Sequence, residues 1–83
     1  MDTFYITFRS VPHAPRGARI LKGGGIRCSL RRTPRWMEEQ GCGYCVGLDA
    51  SPERAIALLR GAQIPWRRAY RRREDGGLEV WEN

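Results

Sequence analysis

The sequence predicts an α+β fold: a ferredoxin-like βαββαβ sandwich, one antiparallel sheet with both helices on one face. Three observations predict it. Phe4–Arg9 and Ile26–Arg31 alternate apolar and polar residues with the period of a strand that buries one face. Ser51-Pro52-Glu53 has the chemistry of a helix start: a hydroxyl cap, proline at the first position and an acid in the first turn. Strand and helix signals alternate as two halves of similar length, and each helix closes near a glycine followed by an isoleucine, Gly25-Ile26 and Gly61 before Ile64. That order is the split βαβ arrangement.

The elements follow in order. Phe4, Ile6 and Phe8 form the inward side of the first strand, and Tyr5, Thr7 and Arg9 the outward side. Ser10-Val11-Pro12-His13 turns the chain into a helix whose apolar positions are Ala14, Ala18 and Leu21, and Gly23-Gly24-Gly25 stops it. In the second strand Ile26, Cys28 and Leu30 face inward and Arg27, Ser29 and Arg31 outward. A loop from Thr33 to Gly41 leads to a short third strand, Tyr44 to Leu48. The second helix presents Ala55, Ile56, Leu59 and Ala62, and Ile64-Pro65 opens a fourth strand, Trp66 to Arg72. Asp75-Gly76-Gly77 reads as a hairpin turn before a short C-terminal strand. The reading is a single domain over 1–83, with a core over about 4–73 and a hairpin or tail over 74–83.

Composition bounds the function classes. At 83 residues the chain has room for one small core, and 41% hydrophobic residues is too many for a disordered tail. No apolar run approaches the roughly 18 residues of a membrane span, and the first residues lack the basic and apolar regions of a secretory signal. The expectation is a cytoplasmic protein with no membrane partner. The formal charge is +6. Seven basic residues lie between Arg16 and Arg35 and six between Arg60 and Arg73, with no acid in either block. Such blocks fit an anionic partner, nucleic acid or an acidic protein surface, or a plainly solvated basic face.

Cys28, Cys42 and Cys45 are an odd number of thiols without a secretion signal, which argues against a disulfide framework. Cys42-Gly43-Tyr44-Cys45 is a CxxC, which points to redox chemistry, sulfur chemistry or half a metal site. The predicted topology brings the loop carrying Cys42 and Cys45 to the end of the sheet where the first helix begins. Ser10 and His13 stand there, and Arg35, Arg67 and Arg68 add positive potential. A helix N-terminus with nearby cations stabilises a thiolate or persulfide. Cys42 and Cys45, set among Gly41, Gly43 and Gly47, are expected to be exposed, and Cys28 to pack in the core.

Tyr5-Ile6-Thr7-Phe8-Arg9-Ser10, His13-Ala14, Gly25-Ile26-Arg27-Cys28, Thr33-Pro34-Arg35 and Cys42-Gly43 together resemble a small bacterial and archaeal family of selenium/sulfur carrier-like proteins. The resemblance runs from about Phe4 to Arg72, and Thr-Pro-Arg followed by a loop and Cys-Gly is its specific part. It implies that Cys42 holds sulfur or selenium as a persulfide or selenopersulfide. Small polar residues usually precede this cysteine in the family, where this chain has Glu39-Gln40-Gly41. Cys45 is a second thiol that many relatives lack.

Three functions compete. In the first, the protein is a carrier rather than an enzyme. Cys42 accepts sulfane sulfur or selenium from a donor such as a cysteine desulfurase, Cys45 acts as resolving thiol, and an acceptor protein takes the cargo. Ser10, His13 and Arg35 support the site, and no resident cofactor is needed. In the second, an open sheet face bearing Tyr5, Thr7, Arg9, Arg27, Ser29 and Arg31 binds RNA. In the third, Cys42, Cys45, Cys28 and His13 hold zinc.

Overall fold

The structure is a computed structural model and describes residues 3–34, 43–50 and 52–82. Seven elements follow one another: β1 (Thr3–Phe8), α1 (His13–Gly23), β2 (Cys28–Arg32), β3 (Tyr44–Leu48), α2 (Pro52–Gly61), β4 (Trp66–Arg72) and β5 (Leu78–Glu82). The five strands form one sheet in the order β2-β3-β1-β4-β5, and every neighbouring pair is antiparallel. The fold is thus α+β, with a five-stranded antiparallel sheet and two helices. β2 is shorter at its start than the alternation predicts: Ile26 belongs to the turn after α1.

One face of the sheet carries the core. Ile6 and Phe8 of β1, Val46 and Leu48 of β3 and Ala69 of β4 cluster with Ala14, Ala18 and Leu21 of α1 and Ala55, Ile56 and Leu59 of α2. Both helices therefore pack on this face, at the spacing that an amphipathic stripe dictates. Trp66 and Trp81 cover the edge of this cluster, Trp81 meeting Phe4 edge to face at 6.4 Å between centroids. Gly17 is buried where α1 crosses β1. A Cβ there would lie 2.8 Å from Phe8 Cζ, so only glycine lets the helix come this close.

The two helices end in the same way. After α1, Ile26 N–H donates to Leu21 O at 2.9 Å and Gly25 N–H to Lys22 O at 3.0 Å, with Gly25 at φ +86°. After α2, Ile64 N–H donates to Leu59 O at 2.9 Å and Gln63 N–H to Arg60 O at 3.0 Å, with Gln63 at φ +58°. Both are Schellman closures with an apolar residue just past the left-handed one. The internal similarity read from the sequence is therefore tighter than it looked, and the residue matching Gly25 is Gln63 rather than Gly61. Arg54 of α2 ties the halves together by donating to Gly24 O at 2.6 Å. Among the described residues no helix is long and apolar enough to cross a membrane.

Candidate thiol site

The strand register decides what meets at each end of the sheet. Arg32 pairs with Tyr44, Thr7 with Cys45 and Arg68, and Phe8 with Trp66. The ends of β1 and β2 and the starts of β3 and β4 therefore share one end. α1 begins five residues beyond β1 at the same end. The connection between β2 and β3 starts and finishes there too. Its base is closed by Thr33 N–H donating to Gly43 O at 2.9 Å, and Gly43 sits at φ +92°, a conformation that L side chains rarely adopt. Cys42 and Arg35 lie outside the described residues.

Around this end the described residues set out a few defined groups. Ser10 Oγ and His13 Nδ1 are hydrogen-bonded at 2.9 Å, and both residues are half-buried. The N-cap of α1 is Pro12, which has no side-chain cap, and the first turn holds no acid. The positive end of the helix dipole is therefore not neutralised by the helix's own side chains. Arg68 is exposed here. Its backbone N–H donates to Thr7 Oγ1 at 3.1 Å, and Thr7 Oγ1 donates to Arg68 O at 3.3 Å. That exchange satisfies a buried hydroxyl beside the register shift between Thr7 and Phe8.

The expectation that Cys45 is exposed is corrected. Cys45 is 0% exposed and clusters with Tyr5 and Tyr70 on the sheet face that has no helix. Its Sγ lies 4.0 Å from Arg32 O. Glycines on either side do not expose a strand residue whose neighbours across the sheet are large. Cys28 is on the other face, partly buried against the core, with Sγ 3.6 Å from Ala18 O. Burial pushes its thiol above the ordinary value, and nearby Lys22 only partly offsets this. Because Cys28 and Cys45 belong to opposite faces, a zinc set of Cys42, Cys45, Cys28 and His13 cannot converge. Among the described residues no group of three or more His, Cys, Asp or Glu side chains is placed to hold a metal ion.

The second face is also less open than the alternation implies. Tyr5 is 4% exposed and Thr7 2%. Arg9, Arg27, Ser29 and Arg31 are exposed as expected. A base cannot stack on a ring that the protein already covers, so the RNA-binding reading loses its aromatic platform. One site residue escaped the sequence reading. Thr33 Oγ1 is buried and has no hydrogen-bond partner among the described residues, at the base of the β2–β3 connection. The Thr-Pro-Arg pattern marks Thr33, but nothing in it says that the hydroxyl is orphaned.

The family model described as "Putative Se/S carrier protein-like" matches residues 3–71. Neither the curated proteins nor the solved structures hold a significant match.

Proposed function

We propose, for a chain that belongs to the Se/S carrier protein-like family, that it relays sulfane sulfur or selenium between proteins on the thiol of Cys42. The observation that carries this reading is the withdrawal of the other two thiols within a matched carrier-like chain: Cys45 is fully buried, and Cys28 is partly buried with its pKa raised. The uncapped start of α1, at the end of the sheet to which the β2–β3 connection returns, supports it. That helix end favours an anion such as a thiolate or persulfide. Ser10, His13 and Arg35 are the supporting residues of this reading. The order β2-β3-β1-β4, with β5 appended and both helices on one face, supports treating the scaffold as a ferredoxin-like sandwich.

In the loading step the Cys42 thiolate attacks the terminal sulfur of a donor persulfide. A new S–S bond forms on Cys42, the donor's S–S bond breaks, and the donor leaves as a thiolate. Delivery repeats the exchange, with an acceptor thiolate attacking the terminal sulfur on Cys42. Cys45 as resolving thiol requires its buried Sγ to come out of the sheet, and burial tells against that part of the scheme. Donor and acceptor are protein partners, docked by the exposed arginines.

Intact mass after incubation with a persulfide donor tests the reading, together with alkylation rates against pH. Cys42→Ser should abolish the mass gain of one sulfur atom. Cys45→Ser should load as wild type. Cys28 should alkylate more slowly than a free cysteine below its raised pKa, because less of it is thiolate. Wild-type loading by Cys42→Ser would overturn the assignment.

A further inference from the structure

On the helix-free face, a groove of about 500 Å³ opens at the end of the sheet away from the β2–β3 connection. Its position follows from the register: Cys28 pairs with Leu48 at this end and Arg32 with Tyr44 at the other. Five residues of β2 put the two ends about 13 Å apart at roughly 3.3 Å per residue. Gly47 forms the floor. A Cβ there would lie 3.3 Å from Arg31 Cδ and 3.5 Å from Tyr5 Cε1, so the bare backbone lets the arginine stem and the ring close in on it. Arg27 and Arg31 line one side and Arg72 the other, and Asp49 is the one acid among the described lining residues.

The three arginines are exposed, and none of them forms an ion pair among the described residues. The neighbouring arginines are treated differently. Arg71 reaches Glu79 at 3.5 Å, and Arg73 reaches Asp75 at 3.5 Å and Glu79 at 3.6 Å. Three guanidiniums facing one hollow repel one another, and an anion relieves that repulsion. Guanidinium forks match the oxygens of a phosphate better than they match a lone halide. A hollow of this volume is within the range of small-molecule sites. The covered Tyr5 ring tells against a nucleic-acid strand, which would need stacking.

We propose that this groove binds a small phosphorylated ligand, with Arg27, Arg31 and Arg72 on the phosphate oxygens and Tyr5 and Gly47 as wall and floor. The site is separate from the thiol chemistry and does not depend on it.

Amide NMR of the full chain, titrated with inorganic phosphate and with pyrophosphate at constant ionic strength held by chloride, tests it. The expected result is saturable shifts centred on Ser29, Gly47 and Asp49. Arg31→Gln and Arg72→Gln should each weaken binding by at least about tenfold, the usual scale for a charge-assisted contact. Arg16→Gln, on α1, should not. Cys42→Ser should bind as wild type, which separates failure here from failure of the carrier reading. Non-saturating shifts spread over all the arginine segments would overturn the proposal. So would binding seen only with a ten-nucleotide single strand, an acidic peptide or anionic vesicles.

Discussion

Gln63 carries a left-handed backbone with a side chain that disfavours it, at φ +58°. The matching residue after α1 is glycine, which takes φ +86° without a Cβ penalty. Gln63→Gly should therefore stabilise the protein. Relieving the left-handed strain is worth about 1–2 kcal/mol. The greater freedom of glycine in the unfolded chain takes back about 0.4–1 kcal/mol. A net gain of about 0.5–1 kcal/mol, read as a higher urea midpoint with unchanged slope, is expected. A lower midpoint would show that the Gln63 side chain makes a contact worth more than the strain. At this scale the sequence misleads where chemistry depends on cover. Tyr5 and Cys45 sit at outward positions of their strands, yet Tyr5, paired with Gly47 and Tyr70, and Cys45, paired with Thr7 and Arg31, are both buried and cluster with Tyr70. Alternation tells which side a residue takes and not what lies over that side.

Among the elements, α1 depends on one missing methyl. Gly17→Ala adds helix propensity, worth about 1 kcal/mol at an interior position. It also drives a Cβ to within 3 Å of two Phe8 ring atoms, with Leu59 Cδ2 at 3.3 Å behind it. Overpacking in a filled core costs about 1–3 kcal/mol, so the clash wins and the melting temperature should fall. A rise would mean that α1 can shift outward without losing its contacts. The elements themselves were largely legible. Tyr44–Leu48 and Trp66–Arg72 are strands at the limits that alternation sets, and α2 starts at Pro52, as a proline in the first turn followed by Glu53 implies. The hairpin after β4 also follows from its residues. Asp75 Oδ1 accepts from Gly77 N–H at 2.8 Å, and that bond and Arg73 hold its carboxyl below the ordinary value. A lowered carboxylate pKa adds stability above the unfolded value that is lost as pH falls through the folded one. The protection of the Gly77 amide, its exchange rate relative to the intrinsic rate at the same pH, should therefore fall only in acid, below the ordinary aspartate range. The candidate site was legible in part. The meeting of the β2–β3 connection with the start of α1 follows from topology. The orphaned Thr33 hydroxyl does not, because it depends on packing at the loop base.

For the whole molecule, the position of β1 between β3 and β4 has a kinetic consequence. The segment from Thr3 to Arg32 contains two strands that never pair, since β3 lies between them. The segment from Tyr44 onward has the same gap, because β1 separates β3 from β4. Neither half can lay down its own inner sheet hydrogen bonds, so each supplies the neighbour that the other lacks. Closing the long loops between them must precede most of the stabilising contacts, which slows folding relative to a helical bundle of this size. A peptide ending at Pro34 should be unstructured by circular dichroism. Mixed with one spanning residues 43–83, it should regain the sheet as a one-to-one complex, at a rate that rises with peptide concentration. Sheet structure in the shorter peptide alone, or more than the β4–β5 hairpin and α2 in the longer one, would show that a half folds independently. The same interleaving means that two whole chains hold everything needed to exchange halves, each completing the other's sheet when folding is crowded.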